Sequence, residues 1–270
     1  MKRLLFAAFC LIILFTSCKL KIESKTFYYQ EEPGQVDFYN FSNKGKPLTI
    51  IIPSVHNSLF TPEYLTAFAK GKNVVVIYFL SHNNQTRLQQ IDGLDNRLNY
   101  YSTVLNELDI KYNTPIKIVA EGVNANLALQ LGFNFNKPEL VLVNSWYPTL
   151  QEHFTSTCYS IQGNDCDSLL NYLSFINRTQ LDNLLVGLKN NSTDMQYGSF
   201  LQSTWRDFIN YNVDVLLNKY PTKPRWIYTT NSGLLSTSEY SNLLKSNGKR
   251  NDVYLLSKKE FYKKTGLFSN

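Results

Sequence analysis

The chain has 270 residues, 43% of them hydrophobic and 14% aromatic, a composition that argues against disorder and can supply one large core. Its formal charge of +6 is spread over Lys- and Asn-rich segments. It makes no basic stripe interleaved with aromatics, so nucleic acid is not an expected partner.

Residues 1–17 carry the three zones of an export signal. Lys2 and Arg3 are basic, Leu4 to Phe15 is apolar, and Thr16-Ser17 leads to Cys18. The apolar run is shorter than the roughly 20 residues that span a bilayer, as expected of a signal peptide. Leu14-Phe15-Thr16-Ser17-Cys18 resembles the lipobox of bacterial lipoproteins, with Phe15 and Thr16 departing from its commonest residues. The resemblance implies an acylated Cys18 as the new N-terminus, followed by a polar tether over residues 18–24. Lys19 does not resemble the Asp that retains some lipoproteins at the inner membrane, so the expected location is the outer membrane. An ordinary cleaved signal is the alternative. Loss of Lys2 and Arg3 with the signal lowers the formal charge to +4. Cys158 and Cys166 then remain, flanking a short polar loop, and in an exported protein they are expected to form a disulfide.

In the mature chain, Lys25–Gln30 and Gln35–Phe41 suggest an antiparallel hairpin around Glu32-Pro33-Gly34. Leu48–Pro53 and Asn73–Leu80 are continuous apolar runs, as in parallel strands buried on both faces. Between them Thr61-Pro62-Glu63 opens a helix that ends at Gly71. Leu88, Ile91, Leu94, Leu98, Tyr101, Leu105 and Leu108 recur at three and four residues, one face of a long amphipathic helix. Strand Ile116–Ala120, helix Val123–Leu131 and strand Glu139–Trp146 follow. Residues 149–222 read as a helical insertion. Strand Arg225–Thr230, helix Thr237–Ser246, strand Asp252–Ser257 and a short helix complete the chain. A hairpin followed by repeated βα units implies an α/β fold with a mostly parallel sheet covered on both faces.

At Ala120-Glu121-Gly122-Val123-Asn124, with Ala125-Asn126-Leu127-Ala128-Leu129 after it, the chain resembles the strand-to-helix nucleophile turn of the α/β-hydrolases. That family's pattern is G-x-S-x-G, and the following helix looks like the one in "GESAGANLAL". The register sets Gly122 at the nucleophile position. The family's acid follows the next-to-last strand, where Ser232 stands here. Its histidine follows the last strand, where Glu260 is nearest in register. The resemblance covers roughly residues 35–265, with residues 149–222 in the position of the family's lid. It implies a fold whose three triad positions could not perform the family's acyl transfer.

Chemistry could have moved elsewhere. His56 lies after the Leu48–Pro53 strand and His82 after Asn73–Leu80, at the sheet edge where α/β proteins place ligands. With Ser54 and Ser145 they are candidates for a displaced nucleophile and base. Their plainer role is packing or hydrogen bonding beside a cleft, and His153, in the insertion, is read as structural. Glu121 is the carboxylate best placed to act there. Three scattered histidines offer no metal site, and no cofactor is implied. The leading expectation is a non-catalytic lipoprotein that binds a small molecule, glycan, acyl chain or protein through a lid-covered cleft, with the membrane as partner through its anchor. A divergent esterase and an envelope assembly factor are the alternatives.

Overall fold

A computed structural model describes residues 22–29, 32–39, 48–54, 58–78, 94–107, 116–122, 124–135, 137–145, 213–230 and 253–264. Among these residues eight strands make one sheet: β1 (Ile22–Tyr29), β2 (Glu32–Tyr39), β3 (Leu48–Ile52), β4 (Asn73–Ile77), β5 (Ile116–Glu121), β6 (Glu139–Val143), β7 (Arg225–Thr229) and β8 (Val253–Leu256). Their order is β1-β2-β4-β3-β5-β6-β7-β8. β1 and β2 are antiparallel to each other, β2 is antiparallel to β4, and every other pairing is parallel. The described helices are α1 (Pro62–Phe68), α2 (Leu94–Glu107), α3 (Asn124–Asn134), α4 (Val213–Lys219) and α5 (Lys258–Lys263).

The central strands follow from composition. Ile50, Ile51, Ile52, Val74, Val75, Val76 and Ile77 are wholly buried, as β-branched side chains on a sheet covered on both faces should be. On one face, Leu65 and Phe68 of α1 and Phe261 of α5 join Val74, Val76, Val119, Val141 and Ile227 in a common core. Phe60, Tyr64 and Phe261 pack ring to ring there, with centroids 5.4–5.9 Å apart. At the opposite end of the strands, Glu139 joins neighbours with ion pairs to Lys117 (3.1 Å) and Arg225 (3.6 Å).

Three features depart from the sequence reading. The hairpin turn is not Glu32-Pro33-Gly34: β2 already begins at Glu32, and Tyr29 faces Glu32 across the ladder. Gly34 serves packing instead, since a Cβ there would collide with the Tyr100 hydroxyl. The second departure is at the start of the sheet, where strand structure begins at Ile22, inside the span expected to be tether. The third is the buried face of α2, which is centred on Arg97, Tyr100, Tyr101, Val104 and Leu105, with Leu98 only half-buried. Arg97 is fully buried beside Tyr101, a placement that apolar periodicity cannot reveal.

Most of the 149–222 insertion, with His153, Cys158 and Cys166, lies outside the described residues, as do Cys18, His56, His82 and Ser232. The end of the insertion is described. After α4, Tyr220 packs on Phe133 (5.2 Å between centroids) and donates to the Pro138 carbonyl at 2.7 Å. Gly132 permits this approach, because a Cβ there would collide with the Tyr220 hydroxyl. Among the described residues no helix is long and apolar enough to cross a membrane.

Candidate functional site

The C-terminal ends of β3, β5, β6 and β7 gather a buried polar cluster around the turn from β5 into α3. Gly122 occupies that turn with φ +64°, a left-handed conformation open to glycine and costly for residues with a Cβ. The turn is held from both sides. The Gly122 N–H donates to the Val143 carbonyl at 2.9 Å, and the Gly122 carbonyl accepts from the Ala125 N–H at 3.2 Å.

Glu121, the last residue of β5, is 3% exposed. Its carboxylate accepts from the backbone N–H of Ser54 at 3.0 Å and of Leu59 at 2.9 Å, and from the Ser58 hydroxyl in a short hydrogen bond. The Ser58 oxygen accepts in turn from the Phe60 N–H at 3.0 Å. Both carboxylate oxygens are thus occupied by the segment that connects β3 to α1. Burial pushes the Glu121 carboxyl above its ordinary range, while the three donors and the nearby Lys258 ammonium oppose that rise. The group works as a fastener: it ties the β3–α1 connection to the strand that carries Gly122.

The asparagines of the cluster act similarly. Asn124, at the start of α3, donates through Nδ2 to the Pro53 carbonyl at 2.9 Å. The Ser145 hydroxyl donates to Asn126 Oδ1 at 2.9 Å. Asn144 has φ +45° and bridges to β7, accepting from the Thr229 N–H at 2.8 Å and donating to the Thr229 hydroxyl at 3.1 Å. Ser145 is 1% exposed, so its proton is committed and its oxygen is remote from solvent. The Ser54 backbone joins the cluster through Glu121. Glu260 is not in it. This residue is exposed in the first turn of α5, where it accepts from the Ser257 N–H (2.7 Å) and hydroxyl (2.8 Å), and its own N–H donates to Ser257 Oγ (3.2 Å). Such a reciprocal cap satisfies donors at a helix start, and it holds the Glu260 carboxyl below its ordinary range, with the Ser257 N–H as the largest cause. Among the described residues no group of His, Cys, Asp and Glu is disposed to hold a metal.

The fold is similar to that of many solved structures. The thioesterase domain of the curacin biosynthetic pathway superposes with a TM-score of 0.52 at 14% identity, over 92% of this chain and 99% of that one. MGS-M2, an α/β-hydrolase enzyme from a deep-sea metagenome of the Medee basin, gives 0.52 at 13% identity, over 90% and 94%. A proline iminopeptidase-related protein of Thermus thermophilus gives 0.51 at 16% identity, over 88% and 90%. The chain has the α/β-hydrolase fold. No protein-family model and no curated protein sequence matches it. At these identities the α/β-hydrolase likeness speaks for architecture alone, since one fold carries many chemistries.

Several members of this buried polar cluster have no signature in the sequence. Ser58, Asn124 and Thr229 could not be paired with Glu121, Pro53 and Asn144 across tens of residues. The available signal was the recurrence of asparagine at the ends of apolar runs, at Asn124, Asn126 and Asn144, where turn chemistry and buried backbone groups favour it.

Proposed function

We propose that this chain is a non-catalytic α/β-hydrolase-fold lipoprotein of the bacterial cell envelope, held in the outer membrane by acylated Cys18. It binds a ligand or partner in the cleft over the C-terminal sheet edge. The reading rests on Gly122, which the sequence register sets at the nucleophile position of the α/β-hydrolases and which has no side chain that could attack. The neighbouring groups support it. Ser145 and Glu121 are engaged in buried hydrogen bonds, and Glu260 caps α5. None of the three is free to serve as nucleophile, base or orienting acid. The Glu121 carboxylate and the Ser145 hydroxyl hold the surroundings of the turn, which supports a site that keeps its shape without the family's chemistry. Of the remaining candidates, Ser54 is described, whereas His56 and His82 lie outside the described residues.

The test is hydrolysis of short acyl esters by the purified protein and by Gly122→Ser. Neither should exceed a heat-denatured control, because restoring the hydroxyl supplies neither base nor orienting acid. Turnover by the unaltered protein that disappears in Ser54→Ala or His56→Ala would overturn the reading in favour of a displaced catalytic site.

A further inference from the structure

Among the described residues β1 is the terminal strand of the sheet, and its side chains from Ile22 to Thr26, with Tyr28, are exposed. Ile22 is 48% and Tyr28 66% exposed, and strand alternation sets both on one face. The other face carries Glu23, Lys25 and Phe27, which border an open groove with Phe38 and Glu107. Proteins blunt free edges with short strands, bulges, prolines, charges or covering elements. β1 runs for eight residues with no proline. Its lysine, Lys25, lies 3.5 Å from Glu23 and over the Phe38 ring.

Covalent length decides what lies near this edge. Only Lys19, Leu20 and Lys21 separate Cys18 from Ile22. At full extension the four steps reach about 14 Å. An acyl group on Cys18 therefore keeps the start of β1 within about 14 Å of the anchored residue. We propose that the outer edge of β1, the last described strand of the sheet, lies on the membrane that holds the anchor. Ile22 and Tyr28 sit at the headgroup level. This inference rests on the lipoprotein reading above and adds an orientation to it. Tyrosine favours the membrane interface, and a sequence with lysines next to an anchor favours anionic lipid. With strands about 4.8 Å apart, β5 and its turn then stand four strands, about 20 Å, above the bilayer.

Hydrogen exchange tests the orientation. Protein purified from membranes is reconstituted into vesicles of phosphatidylcholine with a minority of phosphatidylglycerol, and Cys18→Ser protein in solution is the reference. The mass of the N-terminal peptide reports acylation separately. The expected result is an acylated Cys18 and amides of β1 that exchange about tenfold or more slowly on vesicles, with β8 unchanged. A Gly/Ser insertion of about ten residues between Lys21 and Ile22 should abolish that protection, leaving acylation intact. An unmodified Cys18 would remove both the lipoprotein reading and this inference. An acylated Cys18 with β1 exchange equal to that in solution would overturn the inference alone. Protection that survives the insertion and grows with protein density would show β1 pairing with a second copy, and would also overturn it.

Discussion

Replacing Glu121 by alanine removes the shared acceptor of three donors at once. The Leu59 N–H is buried, whereas Ser54 and Ser58 are half-buried. A buried donor left without a partner costs about 1–3 kcal/mol, and the half-buried pair recovers part of its loss from water. Against this, the variant no longer buries a carboxyl group, which returns some desolvation energy. The balance is a destabilisation of about 2–4 kcal/mol, read from urea unfolding followed by circular dichroism. Glu121→Gln keeps one acceptor oxygen but turns an amide NH₂ toward the donors, and should lose about half as much. The pH dependence has a definite sign. Burial raises the folded carboxyl above its value in the unfolded chain, so the folded protein holds this proton to higher pH. The stability from this group is complete below the unfolded value of about 4.3 and is lost as pH rises through the folded one. Glu121→Gln should lack that loss. An alanine variant as stable as the unaltered protein, or a glutamine variant with a steeper fall on raising pH, would refute the assigned role.

Gly122→Ala should destabilise by about 1 kcal/mol or more, because the turn holds φ +64° and a Cβ is strained there; thermal unfolding checks this, and a stabilised variant would contradict it. Tyr220→Phe leaves the Pro138 carbonyl without its donor and should cost about 1–2 kcal/mol, while Gly132→Ala should cost at least as much by pushing the Tyr220 hydroxyl away. Equal stability of all three proteins would rule out that anchor. Asn144→Ala removes the bridge to Thr229 and leaves a positive φ unsupported, so a loss of about 2–3 kcal/mol is expected. Asn144→Asp, which can still accept from the Thr229 N–H, should lose less in the same denaturation assay.

The sheet was legible where burial on both faces wrote itself into runs of Ile and Val, as in β3, β4 and β5. The β5–α3 turn was legible because its register points to one glycine, and Gly122 has the expected conformation. The hairpin turn was misread because Pro33-Gly34 carries local turn chemistry, whereas Gly34 answers to the distant Tyr100 ring. Arg97 was missed on α2 because a charged residue with an aliphatic stem can be buried where periodicity expects an apolar one. Glu121 drew notice for its place beside the turn. Its role as a fastener depends on Ser54, Ser58 and Leu59, more than sixty residues earlier, and pairing at that separation leaves no local pattern.

The central claim is that the turn kept its conformation and gave up its chemistry. Fluorophosphonate labelling of the folded, membrane-extracted protein tests it most directly, since such probes react with serines activated by a base and supported by an oxyanion hole. The account predicts no labelled peptide, in the unaltered protein or in Gly122→Ser. A labelled peptide containing Ser54 or Ser145 in native protein, lost on heat denaturation and on mutation of that serine, would contradict it.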